Sequence, residues 1–269
     1  MNRTKLAVIG VGNMAKAIIK GILDSDASIS KIILYDTNES QYTSLPFSDK
    51  IVCAESISEA VSSADSVLLS VKPQIYNTVM NEIKAVSGYA DKLYISIGAG
   101  ISTESVRFVL GSDISVIRVL PNVPMMIGNG VSVICRNDDV CADDFNYVKG
   151  IFASSGSILE IDETEMNRII GVTSSSPAYV FKFIDSICEG AKAQGITYDN
   201  IVDIVCDVVI GSALMLKNGN ESANELISRV ASKGGTTEKA LETLDEFDFS
   251  EGIIRAMKAC SSRADELGS

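Results

Sequence analysis

Near its N-terminus the chain carries the glycine-rich segment Ile9-Gly10-Val11-Gly12-Asn13-Met14-Ala15. Gly10 follows an apolar run and permits a tight turn, while Gly12 lets the backbone approach a pyrophosphate. Ala15 takes the third small position of the fingerprint. Asn13 and Met14 lead into the following helix, whose N-terminus attracts anions. Because the motif follows a strand pattern and opens a helix pattern, it predicts a βαβ unit that binds a dinucleotide.

Outward from this stretch, short β-rich runs alternate with amphipathic helical patterns. The predicted strands are Leu6–Ile9, Ile32–Tyr35, Ile51–Cys53, Ser66–Val71, Leu93–Ile97, Val116–Leu120, Val131–Cys135 and Ile158–Ile161. The predicted helices among them are Ala15–Leu23, Ser58–Ala64, Ile75–Val86, Thr103–Leu110 and Asp143–Ala153. This alternation predicts an α/β fold with a Rossmann-type, doubly wound parallel sheet that helices cover on both faces.

The second half of the chain is predicted to be all-α. Helices are expected from Ser176 to Gln194 and over Asn200–Lys217. The second of these has almost no polar face, so it should be buried on all sides. Burial against a second subunit is favoured over burial within the same chain. We therefore predict an NAD(P)-binding domain over residues 1–161 and a helical dimerisation domain over residues 162–269.

Composition excludes several classes of site. The chain has no histidine, so it has no Ser-His-Asp or Cys-His nucleophile system and no histidine general acid. Its six cysteines form no CxxC pair, and no metal site is predicted. The net charge of −12 argues against nucleic-acid binding, and no apolar run is long enough to span a membrane. Reduced thiols, and a Met1–Lys5 segment that leads directly into a strand, predict a cytoplasmic protein.

Other residues that could bind the cofactor follow the predicted strands. Asp36 ends the second strand, where it either accepts hydrogen bonds from an adenosine ribose, favouring NAD, or caps a turn. Val71-Lys72-Pro73 ends the fourth strand beside the switch point, so Lys72 faces either the crevice or solvent. Ala99 and Gly100 are small enough to lie against a nicotinamide ring. Asn122 stands between two prolines that restrict its loop. The predicted cofactor is NADPH or NADH.

A second glycine-rich loop lies near the end of the chain, Ser232-Lys233-Gly234-Gly235-Thr236-Thr237, before a predicted helix Glu238–Leu244. Glycines that lead into a helix N-terminus expose backbone N–H groups, which suit an anion such as a carboxylate. The alternative is a loop in which Thr236 is the helix N-cap.

Together these segments resemble the pyrroline-5-carboxylate reductase family over essentially the whole chain. The Gly-Gly-Thr-Thr segment and the Ser-Ser-Pro-Ala-Tyr segment are the most specific matches. The segments that carry the resemblance are Ile9–Ala15, Val71–Pro73, Ser96–Gly100, Arg118–Pro124, Gly171–Phe181 and Ser232–Thr237.

The resemblance implies a Rossmann domain followed by a helical domain that interlocks with a partner subunit, with dimers assembling into larger rings. It implies hydride transfer from NAD(P)H to a cyclic imine, giving L-proline, in an active site between the cofactor domain and the helical domains. Ser232 and Gly234–Thr237 would bind the substrate carboxylate, and Glu163 would lie near the substrate. Thr237, facing the ring nitrogen, and Lys72 would take part in catalysis.

The sequence also departs from the family pattern. Lys233 and Ala223 stand where relatives usually have proline, and Arg229 replaces a more usual Asp or Asn. Two alternatives therefore stay open. One is an enzyme of the β-hydroxyacid dehydrogenase group, which would use Lys182 as its catalytic lysine. The other is a non-catalytic NAD(P)-binding regulator.

Overall fold

The structure is a computed structural model that describes residues 3–25 and 29–268. The segment Met1–Lys5 is therefore described only from Arg3. The chain forms two compact units, one made of the residues up to Ser175 and from Lys258 onward, the other of Ser176–Met257. The boundary predicted between residues 161 and 162 falls inside the first unit.

An eight-stranded sheet forms the centre of the first unit, in the order β3-β2-β1-β4-β5-β6-β7-β8. Each strand lies within two residues of its predicted position, and the fourth strand ends at Leu69 rather than Val71. The strands are β1 Lys5–Ile9, β2 Lys31–Tyr35, β3 Ile51–Cys53, β4 Ser66–Leu69, β5 Leu93–Ser96, β6 Ser115–Leu120, β7 Gly130–Arg136 and β8 Gly156–Glu160.

The sequence predicted a parallel sheet, but the observed sheet contains one antiparallel pair of strands. Strands β1 to β6 are parallel, and β1 pairs with both β2 and β4, which makes their carboxyl ends the switch point. β7 pairs antiparallel with β6, and β8 is parallel to β7. Only a short 3₁₀ segment, Val123–Ile127, connects β6 to β7. A parallel pair would need a crossover of a dozen or more residues, so the chain turns back instead.

Helices cover both faces of this sheet. Alternate residues of β1 point to opposite faces: Leu6 and Val8 belong to one core cluster, Ala7 and Ile9 to the other. The first cluster lies under the helices that begin at Asn13 and Ala142, and the second lies under the helices that begin at Ile57, Tyr76 and Thr103. The predicted helix from Ile75 begins as a 3₁₀ turn, Pro73–Ile75. The helices are α1 Asn13–Leu23, α2 Ile57–Ser62, α3 Tyr76–Lys84, α4 Thr103–Leu110 and α5 Ala142–Ala153.

A third, smaller core cluster involves the end of the chain. A short helix, α6 Met166–Ile169, places Met166 against Leu120 of β6. Ala264 of the last helix packs into the same cluster and is 3% exposed. The last residues of the chain therefore complete the core of the first unit.

The second unit is helical, and among the described residues from Asp162 onward there is no strand. Only Val205 of α8 is buried, whereas Val208, Ile210 and Met215 are each more than half exposed. The alternative in which this apolar helix is buried within its own chain is therefore wrong. No helix of the described residues is both long enough and apolar enough to cross a membrane. The remaining helices are α7 Ser176–Ala193, α8 Ile201–Asn218, α9 Ala223–Val230, α10 Thr236–Glu246 and α11 Phe249–Gly268.

Candidate active site

The glycine loop between β1 and α1 has the geometry of a phosphate cradle. Gly10 has φ +89°, and a Cβ placed there would lie 2.7 Å from the Ser70 carbonyl oxygen. Gly12 is the N-cap of α1, and an added Cβ there would meet nothing within 4 Å. The helix ladder begins with the bond from Lys16 N to Gly12 O, so the preceding amides lie free of the ladder. Open space before these amides fits a dinucleotide pyrophosphate.

Asp36 fixes this loop to the end of β2. One carboxylate oxygen accepts a hydrogen bond of 2.7 Å from the Val11 amide, and the other accepts one of 2.8 Å from the Asn38 amide. The turn-capping alternative is therefore observed. Each carboxylate oxygen has a further lone pair. The ribose contact stays a prediction.

A cavity of about 390 Å³ opens at the carboxyl ends of β1, β2 and β4. This is the size and place expected for a ligand at a switch point. Lys72 is exposed at its rim, and Glu82 of α3 adds a second carboxylate to Asp36. The predicted cofactor residues that line it are Gly10, Gly12, Asp36, Val71 and Lys72. Asn13 and Met14 lie in the adjacent first turn of α1, and Pro73 borders a neighbouring groove.

Tyr76, which the sequence reasoning missed, supports the loop after β5. Its hydroxyl donates to the Leu69 carbonyl at 2.8 Å and lies 3.2 Å from Ser96 Oγ. Its ring lies 2.7 Å from where a Gly98 Cβ would stand, so this loop needs a glycine there. Burial raises the pKa of Tyr76 to about 12, although the Ser96 hydrogen bond lowers it. The phenol is therefore a neutral donor at physiological pH and supports the loop that bears Ala99 and Gly100.

A buried ionic cluster lies beside that loop. Arg118 of β6 is 2% exposed, donates to Asn167 Oδ1 at 2.5 Å, and lies 3.6 Å from Glu163 Oε1. Glu163 in turn accepts hydrogen bonds from the amide and the hydroxyl of Thr103. Burial lowers the pKa of the Arg118 guanidinium, and the Glu163 carboxylate raises it. Burial also raises the pKa of the neighbouring Cys135 thiol to about 12, so that thiol is neutral.

Asn122 is buried, and both ends of its amide are engaged by protein. It donates to the Thr173 carbonyl at 3.0 Å and accepts from the Val131 amide at 2.9 Å. These bonds pin the loop after β6 to the segment before α7. The structure thus places Asn122 as a support for that loop, and its contact with the cofactor stays a prediction.

The loop Ser232–Thr237 belongs to the second unit. Gly234 has φ +73°, and its amide donates to Glu238 Oε2 at 2.7 Å, while the Gly235 amide donates to Ser232 O at 2.9 Å. The N-cap of α10 is Gly235, which corrects the alternative in which Thr236 is the cap. The ladder begins with Lys239 N to Gly235 O, so the amides of Thr236 and Thr237 precede it.

Comparison with known proteins identifies the family of the chain. It is 33% identical to a pyrroline-5-carboxylate reductase of Haemophilus influenzae over 269 residues, which cover 99% of this chain and 98% of that protein. The reductase of Escherichia coli is also 33% identical, over 98% of both chains. This chain belongs to the pyrroline-5-carboxylate reductase family. Residues 163–267 match a family model described as pyrroline-5-carboxylate reductase dimerisation. Residues 5–100 match one described as NADP oxidoreductase coenzyme F420-dependent.

Solved structures of the pyrroline-5-carboxylate reductase family share the fold along the whole chain. The pyrroline carboxylate reductase of Plasmodium falciparum, solved with NADP bound, covers 100% of both chains with a TM-score of 0.90 and 29% identity. The predicted fold class, a Rossmann-type sheet followed by a helical dimerisation domain, is confirmed.

Within this member of the family, the structure gathers the predicted cofactor residues only in part. Five of them line one cavity, whereas Asn122, and also the predicted substrate residue Glu163, direct their polar atoms to protein groups. Lys182, the residue required by the dehydrogenase alternative, is exposed on α7. Sequence reasoning missed Arg118 and Tyr76 as support residues. Arg118 could have been identified from the sequence, because it is a charged residue inside the otherwise apolar predicted strand Val116–Leu120.

Proposed function

We propose that this chain is an NAD(P)H-dependent reductase that converts the cyclic imine pyrroline-5-carboxylate into L-proline. The observation that carries the proposal is the match to curated reductases along almost the whole chain. The switch-point cavity adds the cofactor site that such a reaction requires.

When bound, NAD(P)H would supply a hydride from the nicotinamide C4 to the imine carbon, the π electron pair of the C=N bond would move to nitrogen, and the nitrogen would hold a proton taken from a hydroxyl or from water. The chain holds the pyrophosphate at Gly12 and the first turn of α1, and the ribose at Asp36. Because a protonated imine is already electrophilic, the absence of histidine is no obstacle. The Thr237 hydroxyl faces the ring nitrogen and accepts a hydrogen bond from the N–H of the protonated imine. Lys72 contributes positive charge at the rim of the cavity.

The substrate carboxylate binds at the N-terminus of α10. The amides of Gly234 and Gly235 already donate within the loop. The amides of Thr236 and Thr237, together with the helix dipole, are therefore the donors for an anion. Lys233 adds positive charge beside this site in place of the usual proline.

The enzyme acts as a homodimer in the cytoplasm. The exposed apolar residues of α8 and the match of residues 163–267 to a dimerisation model support the dimer. The six cysteines are free thiols, which suits a reducing compartment. Light scattering of the purified protein would also report any larger ring of dimers.

The test is steady-state reduction of pyrroline-5-carboxylate with NADH and with NADPH, followed by nicotinamide absorbance. Thr237→Ala should lower kcat/KM by about tenfold or more, because one aligned hydrogen bond is lost. The matched control is Thr243→Ala, which removes an exposed hydroxyl of the same helix that bonds only the Lys239 carbonyl. No turnover of the wild type with either cofactor would reject the proposed function, and unchanged kinetics of Thr237→Ala would reject the role of this residue.

A further inference from the structure

Arg118 is the most deeply buried charged side chain in the described part of the protein. It lies in the middle of the sheet, paired with Ser96 of β5 on one side and Cys135 of β7 on the other. Apolar residues, Ile117 and Val119, flank it along the strand and are fully buried. A cation in this place is desolvated, which is unfavourable unless it is well paired.

The pairing of Arg118 is incomplete. One terminal nitrogen donates to Asn167, and the other lies 3.6 Å from the Glu163 carboxylate, longer than a hydrogen bond. The Nε atom is buried and has no hydrogen-bond partner within the described residues. Replacing such a pair with apolar residues is often neutral or stabilising. Stability alone therefore does not account for an arginine here.

The contacts beyond Arg118 lead to the end of the loop after β5, which carries the predicted cofactor residues Ala99 and Gly100. Glu163 binds both the amide and the hydroxyl of Thr103, which is the first residue of α4 and is 4% exposed. A carboxylate at a helix N-terminus is stabilised by the free amides and the dipole there. Thr103 follows Gly100 by three residues, so the carboxylate fixes the far end of the loop that Tyr76 fixes at Gly98.

We propose that Arg118 is a positioning residue: by holding Glu163 on the first turn of α4, it fixes the loop 97–102 on the nicotinamide side of the crevice. The inference rests on the proposed function. Arg118 itself contacts neither cofactor nor substrate, and it acts through Glu163 and Thr103. The adenosine side of the cavity, at Asp36 and Gly12, lies outside this chain of contacts.

The experiment compares Arg118→Met with Arg3→Met. Arg3 forms the other strongly buried pair of this unit, 2.6 Å from Asp144, with side chains 10% and 11% exposed. Both variants should lower the melting temperature. Arg118→Met should also lower kcat by about tenfold or more, since a small misplacement of reacting groups has effects of that size or larger. Its Kd for NADH should stay within about threefold, because the residues proposed to bind the pyrophosphate and the ribose, Gly12 and Asp36, lie outside this chain of contacts. Arg3→Met should leave kcat unchanged.

Two further variants keep the test decisive if Arg118→Met does not fold. Arg118→Lys retains the charge and should restore part of kcat. Thr103→Val removes one Glu163 contact at the other end and should lower kcat in the same direction. In a Glu163→Gln background, Arg118→Met should have little additional effect on kcat.

Emission of bound NADH reports the nicotinamide environment without turnover. It should change in Arg118→Met and stay as in the wild type in Arg3→Met. If the wild type turns over and Arg118→Met has the same kcat and the same NADH emission, the positioning role of Arg118 is wrong, while the proposed function stands. Absence of wild-type turnover would instead reject the proposed function, and the emission would still test Arg118.

Discussion

At the scale of single residues, the Asp36 carboxylate is held in one orientation by the amides of Val11 and Asn38. With the adenosine ribose bound at Asp36 as we propose, a carboxylate fixed in this way cannot rotate away from a 2′-phosphate. Glu82 lines the same cavity, so two carboxylates and one lysine, Lys72, lie along its wall. The charges therefore favour the cofactor that carries a ribose hydroxyl at this position over the one that carries a phosphate.

We expect the enzyme to use NADH with a kcat/KM at least about tenfold above that for NADPH, a difference of about 1.4 kcal/mol. Asp36→Asn, which removes the charge but keeps one acceptor oxygen for the Val11 amide, should bring the ratio towards one. The ratio is measured by initial rates with each cofactor at saturating imine.

The control for Asp36→Asn is Glu39→Gln. Glu39 is exposed on the same segment and does not line the cavity, so its replacement removes the same charge without touching the site. The ratio should not change in this variant. A wild type that prefers NADPH would contradict the argument from charge.

The sequence indicated which polar residues matter at the site more readily than it indicated their hydrogen-bond partners. Glu163 and Asn122 were both expected at the active site from the sequence, and each was expected to face a ligand. In the structure their polar atoms bind Thr103, Thr173 and Val131, and the ligand contacts stay predictions. These partners lie dozens of residues away along the chain or across a turn. Sequence spacing does not show which backbone N–H and C=O groups of a folded loop still need a side-chain hydrogen-bond partner.

At the scale of elements, the pair of strands β7 and β8 begins with two glycines in register, Gly130 and Gly156. Gly156 has φ +144°, and a Cβ added there would lie 2.0 Å from the Gly130 carbonyl oxygen. The two backbones approach so closely at this point that no side chain fits between them.

Gly156→Ala should therefore lower the free energy of unfolding by about 2 to 6 kcal/mol, the combined cost of backbone strain and overpacking. Urea unfolding followed by circular dichroism measures it. The control is Gly150→Ala in α5, where an added Cβ meets nothing within 4 Å. It should stabilise by about 0.5 to 1 kcal/mol. Equal unfolding midpoints for the two variants would contradict this account.

The elements themselves were predicted well where periodicity was strong. Helices α1, α4 and α5 begin within two residues of their predicted starts. The sequence reasoning identified neither α9 nor α11, although a complete capping box at Ser222 and Glu225 marks the start of α9. The antiparallel direction of β7 was also not predicted, because direction depends on the length of the β6–β7 connection and not on the pattern within either strand.

At the scale of the whole molecule, the second unit exposes apolar side chains that a folded monomer would normally bury. Val208 of α8 is 62% exposed and Ile210 is 56% exposed. A surface of this kind marks a protein–protein interface. It agrees with the match of residues 163–267 to a dimerisation model.

Val208→Asp should raise the dimer dissociation constant by about a hundredfold or more, because a carboxylate would be buried without a partner in each subunit. Light scattering coupled to size-exclusion chromatography over a range of protein concentrations measures this change. Lys217→Asp changes the charge at an exposed polar position of the same helix and should leave the dimer intact. A dimer of unchanged affinity in Val208→Asp would exclude this face of α8 from the interface.

The first unit is discontinuous along the chain, because the 82 residues of the second unit, Ser176–Met257, separate its two segments. Ala264 and Cys260 pack against the cluster of Leu120, Met166 and Ile170 only once the last helix exists. A ribosome adds about 5 to 20 residues per second, so synthesis of the intervening 82 residues would take roughly 4 to 16 s. During this time the core of the first unit would lack the residues of the last helix. A nascent chain arrested before Lys258 should thus expose Leu120 and Met166 and recruit chaperones, whereas the released full-length chain should not.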